Sequence, residues 1–198
     1  MANSRSLMRI IAGHLRGRSI DVPRGRGTRP MLDRVREALF STLAPALEGA
    51  RVLDLFAGSG SLSLEALSRG ADHARLVERD ARALALLASN VERLGLTAEV
   101  ELVRGDALDP DAWGPGEVDI VFLDPPYPWL KRTNQRRALF AAMAALLEGK
   151  LAADGRIVFH APRDAVLEAE FGAGVQLDQR TYGTNALWYV RRAEREDE

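Results

Sequence analysis

VLDLFAGSGSLSLEALSRGADHARLVER, residues 52–79, reads as strand, turn, helix and strand. VLDLF is a short apolar run of the kind that strands covered on both faces carry. It stops at Gly58 and Gly60, and SLSLEALSRG (61–70) then follows helical spacing to the next glycine. ARLVER (74–79) is a second strand. Two strands joined through a helix must run parallel, with a right-handed crossover.

Outward from this unit the alternation continues. ARALALLASNVERLG is a helix stopped at Gly95, AEVELVR (98–104) alternates in period two, and VDIVFLD (118–124) is almost wholly apolar. A helix over about 135–147 and a strand GRIVFH (155–160) follow, and QRTYGTNALWYVRR reads as a hairpin around 183–185. Upstream, RIIAGHLRGRSIDV (9–22) predicts two short strands around a turn at 13–17, and 23–30 a loop. Met31, Val35, Leu39 and Leu43 then repeat at helical spacing until Pro45 and Gly49. The whole predicts an α/β, Rossmann-like fold with a mostly parallel sheet.

The length of 198 residues suits one domain with a small appendage, and 46% hydrophobic with 28% charged residues excludes disordered and collagen-like chains. With no cysteine, disulfides, thiolate zinc sites, iron–sulfur clusters and thiol nucleophiles are excluded. His14, His73 and His160 are far apart in sequence, so no metal is expected. The longest apolar run, 138–147, is too short to span a bilayer, and the first residues lack the apolar core of a signal peptide. A cytoplasmic protein without a membrane partner is expected.

Charge is uneven. Residues 1–40 hold nine arginines against Asp21, Asp33 and Glu37, a net of +6, while the rest carries −7. Arginine bias alone does not explain why acids avoid the first forty residues. A basic arm on an acidic body points to a polyanionic partner.

Open α/β sheets bind ligands beyond the carboxyl ends of their strands. Three acids stand at such ends, Asp54, Glu78 and Asp106, with the glycine turn Gly58-Ser59-Gly60 beside the first. A dinucleotide site would have a third glycine where this chain has Ser63, and an acid before the turn repels a pyrophosphate. An acid there suits a ligand with an ammonium and a sulfonium, as in S-adenosylmethionine, whose carboxylate a helix N-terminus can receive. Glu78 is then placed for the ribose hydroxyls and Asp106 for the adenine amine.

At the end of the fourth strand stands Asp124-Pro125-Pro126-Tyr127. An ionised Asp only accepts hydrogen bonds, the prolines hold their carbonyls rigidly, and Tyr127 offers a face for stacking. Together they can take both hydrogens of a nucleobase amine, whose delocalised lone pair makes it a poor nucleophile, and aim that lone pair at a methyl donor. The following Lys131-Arg132-Thr133-Asn134-Gln135-Arg136-Arg137 reads equally as a phosphate contact or as a solvated helix start.

These motifs resemble the bacterial RsmD family. The likeness rests on RIIAGHLRGR (9–18), TRPMLDRVREALF (28–40), VLDLFAGSGSLSLEALSRGA (52–71), DPPY (124–127), Glu78 and YGTNALW (182–188). The resemblance implies a class I methyltransferase with a seven-stranded sheet, residues 49–198, behind an RNA-contacting hairpin and helix, residues 1–48. It implies methylation by S-adenosylmethionine of the N2 amine of one guanine of 16S ribosomal RNA, guanine 966, on the assembling 30S subunit. S-adenosylhomocysteine would be the other product, no metal would be used, neighbouring ribosomal proteins could make contact, and the enzyme would act as a monomer. It assigns Asp54, Phe56, Gly58, Gly60, Glu78, Arg79, Asp106 and Ala107 to the donor, and Asp124, Pro125, Pro126 and Tyr127 to the guanine. RNA would meet Arg9, Arg16, Arg18, Arg29, Arg34, Lys131 and Arg132. One position departs: the family usually has Thr after TRP, and this chain has Met31.

Competing readings can be separated. A DNA adenine-N6 methyltransferase shares the tetrad but needs more chain to read a duplex. A silent RNA-binding assembly factor would be expected to have lost Asp124 or the glycine turn. A nicotinamide oxidoreductase is disfavoured by Asp54, by Ser63 and by the tetrad.

Overall fold

The computed structural model describes residues 6–22 and 31–193. Strands β1 (Ser6–Arg9) and β2 (Ser19–Val22) form an antiparallel hairpin, and helix α1 (Asp33–Leu43) follows. Strand and helix then alternate through β3 (Arg51–Leu55), α2 (Ser61–Ser68), β4 (His73–Glu78), α3 (Ala81–Leu94), β5 (Val100–Arg104), β6 (Val118–Leu123), α4 (Thr133–Gly149) and β7 (Leu151–Pro162). β8 (Val175–Tyr182) and β9 (Asn185–Arg192) follow as the last strands among the described residues.

β3 to β9 make one sheet in the order β5-β4-β3-β6-β7-β9-β8. The first five strands of that order run parallel, and β9 runs antiparallel to both β7 and β8. The order reverses between β3 and β6, which opens a crevice at their carboxyl ends. No described helix is long and apolar enough to cross a membrane.

Alternate residues of each central strand serve opposite faces. Val52, Ile120, Phe122 and Val158 pack with α1, α2 and α3, whereas Leu53, Val121, Leu123 and Phe159 pack with α4. Two elements exceed their sequence signals. β7 starts at Leu151 because residues 152–155 bulge out of register against β6, interrupting the period on which the shorter reading rests. β8 is an edge strand: only Val175 and Leu177 alternate inward at its start, and residues 178–181 are exposed, so the apolar signal is short.

The hairpin shares the core of the sheet. Ile10, Leu15 and Ile20 are buried with Val35, Leu39 and Phe40 of α1 and with Leu62 and Leu67 of α2. Polar anchors fix the docking. Glu65 of α2, wholly buried, accepts from Ile11 N at 2.7 Å, Ala12 N at 3.0 Å and Arg69 Nε at 2.7 Å. Ser68 Oγ accepts from Leu15 N and donates to the Ala12 carbonyl at 2.6 Å. Gly13, at φ +83°, turns directly above the Ser68 carbonyl, where a Cβ would lie 1.6 Å from that oxygen. Arg36 of α1 is fully buried and donates to Met8 Sδ, to the Arg9 carbonyl and to Asp33, which pins β1 to α1. Met31 is buried in this same core, so the position that departs from the family pattern holds a thioether among apolar side chains.

Glu65→Ala would leave two amides unsatisfied and Arg69 without its buried partner. Removing one member of such a pair costs about 3–5 kcal/mol. The expected result is a large fall in the urea midpoint with an unchanged slope, measured by circular dichroism.

Candidate active site

Asp54 is next to last in β3, between Leu76 of β4 and Phe122 of β6, and is 2% exposed. Its Oδ2 accepts from the Ser63 hydroxyl at 2.7 Å. Burial pushes its pKa up to about 7, against the Ser63 bond, and the charges of Asp124 and Glu78 push the same way as burial. Ser63 therefore does more than mark a missing glycine: it is the neutral donor that holds this carboxylate.

The chain leaves β3 through Phe56, a non-glycine residue at φ +70°, and enters α2 through Gly60 at φ +76°. A Cβ at Gly60 would stand 2.4 Å from Leu87 Cδ1, so only glycine lets the turn lie this close to α3. Glu78 closes the neighbouring strand. Its Oε2 accepts from Gly58 N at 2.9 Å and its Oε1 from Asp80 N at 2.8 Å, which ties the glycine turn to the end of β4. Asp106, exposed beyond β5, accepts from Leu108 N at 3.0 Å. Ala107 is buried, with its carbonyl on Trp113 Nε1. Because β5, β4, β3 and β6 are parallel neighbours, these residues collect along one edge of the sheet.

Asp124 follows β6, one residue beyond the Leu55–Leu123 pair. Its side chain is 36% exposed, and Oδ1 lies 2.9 Å from His160 Nδ1. Of the two proline carbonyls, that of Pro126 already accepts from Trp129 N at 2.9 Å. Tyr127 is half-buried, donates from Oη to Asn185 Oδ1 at 2.6 Å, and stands 3.2 Å from His160 Nε2. Burial, with the charge of Asp124, pushes its phenol up to about 12, so the hydroxyl stays protonated. His160 is 4% exposed; burial opposes its protonation, but the Asp124 hydrogen bond and charge, helped by Asn185, hold its pKa above the ordinary imidazole value.

Trp129, buried just after the tetrad, meets Phe56 edge to face at 5.2 Å, and the Arg79 guanidinium lies over its ring at 5.3 Å. The glycine turn, β4 and the tetrad are thereby joined by one aromatic contact set. Tyr127 also lines a cleft of about 570 Å³, together with Lys131, Pro162, Arg163, Asp164 and Thr184.

The basic residues separate into groups. Arg9, Arg16, Arg18 and Arg34 are exposed on the hairpin and α1, with Arg18 also donating to the Arg93 carbonyl. Lys131 and Arg132 are exposed beside the tetrad, and Arg132 reaches Gln135 at 3.4 Å. Arg136 is engaged with Glu170. Arg29 lies outside the described residues.

Three polar residues are given no site role by the sequence. His160 and Asn185 hold the tetrad from strands far along the chain. Asn90, buried in α3, accepts from Asp21 N and donates to the Asp21 and Ser59 carbonyls, which links β2 to the glycine turn. Each has partners 31 to 69 residues away, so no local pattern reveals it.

A glycine turn followed by acids on successive parallel strands, with an Asp-Pro-Pro-Tyr segment across the switch point, defines a class I S-adenosylmethionine-dependent methyltransferase. Within that class the chain belongs to the RsmD family. The family model described as Conserved hypothetical protein 95 matches residues 8–191. The Bacillus subtilis protein YlbH is 38% identical over 190 residues, covering 93% of this chain and 100% of its own. Ribosomal RNA small subunit methyltransferase D of Escherichia coli K12 is 43% identical over 141 residues, 71% of this chain and 67% of its own. The solved structure of the Escherichia coli protein yhhF gives a TM-score of 0.80 at 34% identity, over 95% of this chain and 99% of that one.

The raised pKa of Asp54 has a consequence for stability. The folded chain keeps a proton that the unfolded chain loses at about pH 4. This contribution favours the fold at low pH and is lost as pH rises through about 7. Asp54→Asn removes that dependence. Thermal melts without ligand are expected to show the variant gaining ~1–3 kcal/mol over the parent at about pH 8 and little at about pH 4.

Proposed function

We propose that this chain methylates the exocyclic N2 amine of a guanine in 16S ribosomal RNA, guanine 966, on the assembling 30S subunit. The observation that carries this reading is the meeting of a buried, uncompensated carboxylate with the tetrad. The charged groups acting on Asp54 are Asp124 and Glu78, both acidic, so the pocket presents negative charge that calls for a cationic ligand.

S-adenosylmethionine fits that demand and supplies, when bound, an electrophilic methyl group on a positively charged sulfur. In this reading Asp54 faces the ammonium, Glu78 the ribose and Asp106 the adenine amine. The Gly58–Gly60 turn and the start of α2 receive the carboxylate. Phe56, Arg79 and Ala107 complete the wall through Trp129 and the β5 loop. S-adenosylhomocysteine is the second product, and the positive sulfur makes a metal unnecessary.

The acceptor side follows from the tetrad. Asp124 and the Pro125 carbonyl accept the two amine hydrogens, while the Tyr127 ring carries the base. Orientation of this kind is worth several orders of magnitude in rate when the reacting atoms are in line. The cleft beside Tyr127 lies within the size range of small-ligand sites, which suits a nucleotide turned out of its stack. Arg9, Arg16, Arg18, Arg29 and Arg34 give residues 1–48 an RNA-holding role, with Lys131 and Arg132 on the flanking phosphates, and residues 49–198 carry the chemistry. The name of the Escherichia coli relative, a small-subunit ribosomal RNA methyltransferase, supports this choice of substrate over DNA. The protein acts in the cytoplasm as a monomer, against a surface that neighbouring ribosomal proteins can share.

The test is methyl transfer from tritiated S-adenosylmethionine to undermethylated 30S subunits, naked 16S RNA and duplex DNA. Label confined to 30S and recovered as N2-methylguanine is expected; label in DNA as N6-methyladenine would overturn the substrate. Asp124→Ala should abolish transfer and leave donor binding within about threefold by calorimetry, because the acid acts on the amine. Arg9→Gln with Arg16→Gln should weaken RNA binding and flatten its dependence on log salt by roughly one to two.

A further inference from the structure

We propose that His160 is a positioning residue for methyl transfer: a doubly protonated imidazole that holds the Asp124 carboxylate through Nδ1 and the Tyr127 hydroxyl through Nε2. The inference rests on the function proposed above and goes beyond the tetrad itself.

The prolines immobilise the backbone between Asp124 and Tyr127. They leave the carboxylate free to rotate and the phenol free to swing, and these are the two groups meant to handle the base. The parallel pairing of β6 with β7 brings the missing support. Leu123 lies opposite Phe159, so the next residues along, Asp124 and His160, are neighbours although 36 positions apart. Nδ1 lies 2.9 Å from Asp124 Oδ1 and Nε2 lies 3.2 Å from Tyr127 Oη. One ring spans the first and last members of the tetrad, and it is itself held in place by burial.

A proton count fixes the state of the ring. Tyr127 has a single hydroxyl hydrogen, and its 2.6 Å bond to Asn185 Oδ1 uses it. The contact between Nε2 and Oη is then donated by the ring. An ionised Asp124 can only accept, so Nδ1 donates as well. Both nitrogens carry hydrogen, and the ring is an imidazolium paired with a carboxylate. The titratable groups facing it are Asp124, beyond β6, and Tyr127; Asn185 of β9 is uncharged. The raised pKa of His160 agrees with this arrangement.

The consequence is a division of the carboxylate: Oδ1 is committed to His160, leaving Oδ2 for the amine. The proton shed by the alkylated amine goes to water, since Asp124 is partly open to solvent.

Two substitutions separate the two ends of the ring. The amide nitrogen of Asn takes the place of Nδ1, and that of Gln the place of Nε2. His160→Asn keeps the bond to Asp124 and is expected to hold kcat within about fivefold. His160→Gln keeps only the Tyr127 side and is expected to lose about 100-fold in kcat, with donor Kd and acceptor KM within about threefold, the scale of misplacing a reacting group by about 1 Å. Equal losses, or a better Gln variant, would overturn the proposal. Should either variant melt too early to assay, ¹⁵N spectra of the parent protein decide. Both His160 nitrogens protonated at about pH 7 is the expected state, and a neutral ring in either tautomer would overturn it. The parent's failure to label any RNA would sink the proposed function alone, because the ¹⁵N measurement needs no acceptor.

Discussion

The structure is organised around carboxylates brought together at one edge of the sheet. Parallel pairing of β4, β3 and β6 places Glu78, Asp54 and Asp124 at one edge, and Asp54 is driven into a dry interior by the same register. Every local device near that edge softens the resulting repulsion. Ser63 gives Asp54 a hydroxyl, the amides of Gly58 and Asp80 take both oxygens of Glu78, and His160 faces Asp124. A surplus of negative charge in a low-dielectric pocket favours a positively charged ligand more strongly than the same charge would in water.

The N-terminal hairpin is bound to this edge by more than proximity. Asn90 spans from β2 to the glycine turn, and Arg93 of the same helix reaches the Ser19 carbonyl. Glu65 and Ser68 hold the hairpin's loop against α2, whose other end forms part of the glycine turn. A single short helix therefore carries the extension at one end and the proposed donor pocket at the other. In the proposed function, RNA held by the arginines of the arm is referenced to the reacting atoms through rigid structure.

The sequence made the fold legible wherever a period ran unbroken. β3, α2, β4 and α3 follow their apolar patterns closely, and Gly95 ends α3 in the left-handed conformation that favours glycine. The start of β7 was hidden by a bulge, and the start of β8 by the exposed run 178–181 that separates its two inward residues from the hairpin. Site residues divide in the same way. Asp54, Gly58, Gly60 and the tetrad stand out because their neighbours in space are also neighbours in the chain. His160, Asn185 and Asn90 do not, since their partners come from pairing between distant strands and helices. Arg36 misleads in the opposite sense: one more arginine in a basic arm, it is a buried strut between α1 and β1.

The close seating of Gly13 on the Ser68 carbonyl bears on how such a protein can change over generations. A hairpin whose turn passes within a methyl group's width of a helix backbone cannot be traded for that of another protein unless the helix end travels with it. Glu65 and Ser68 form the matching half of the joint, and they lie across any boundary drawn between arm and body. Arg9, Arg16 and Arg34, exposed on the hairpin and α1, carry no such demand. The two faces of the hairpin thus meet different demands: the outer one presents Arg9 and Arg16 to solvent, while the inner one is bound to α2.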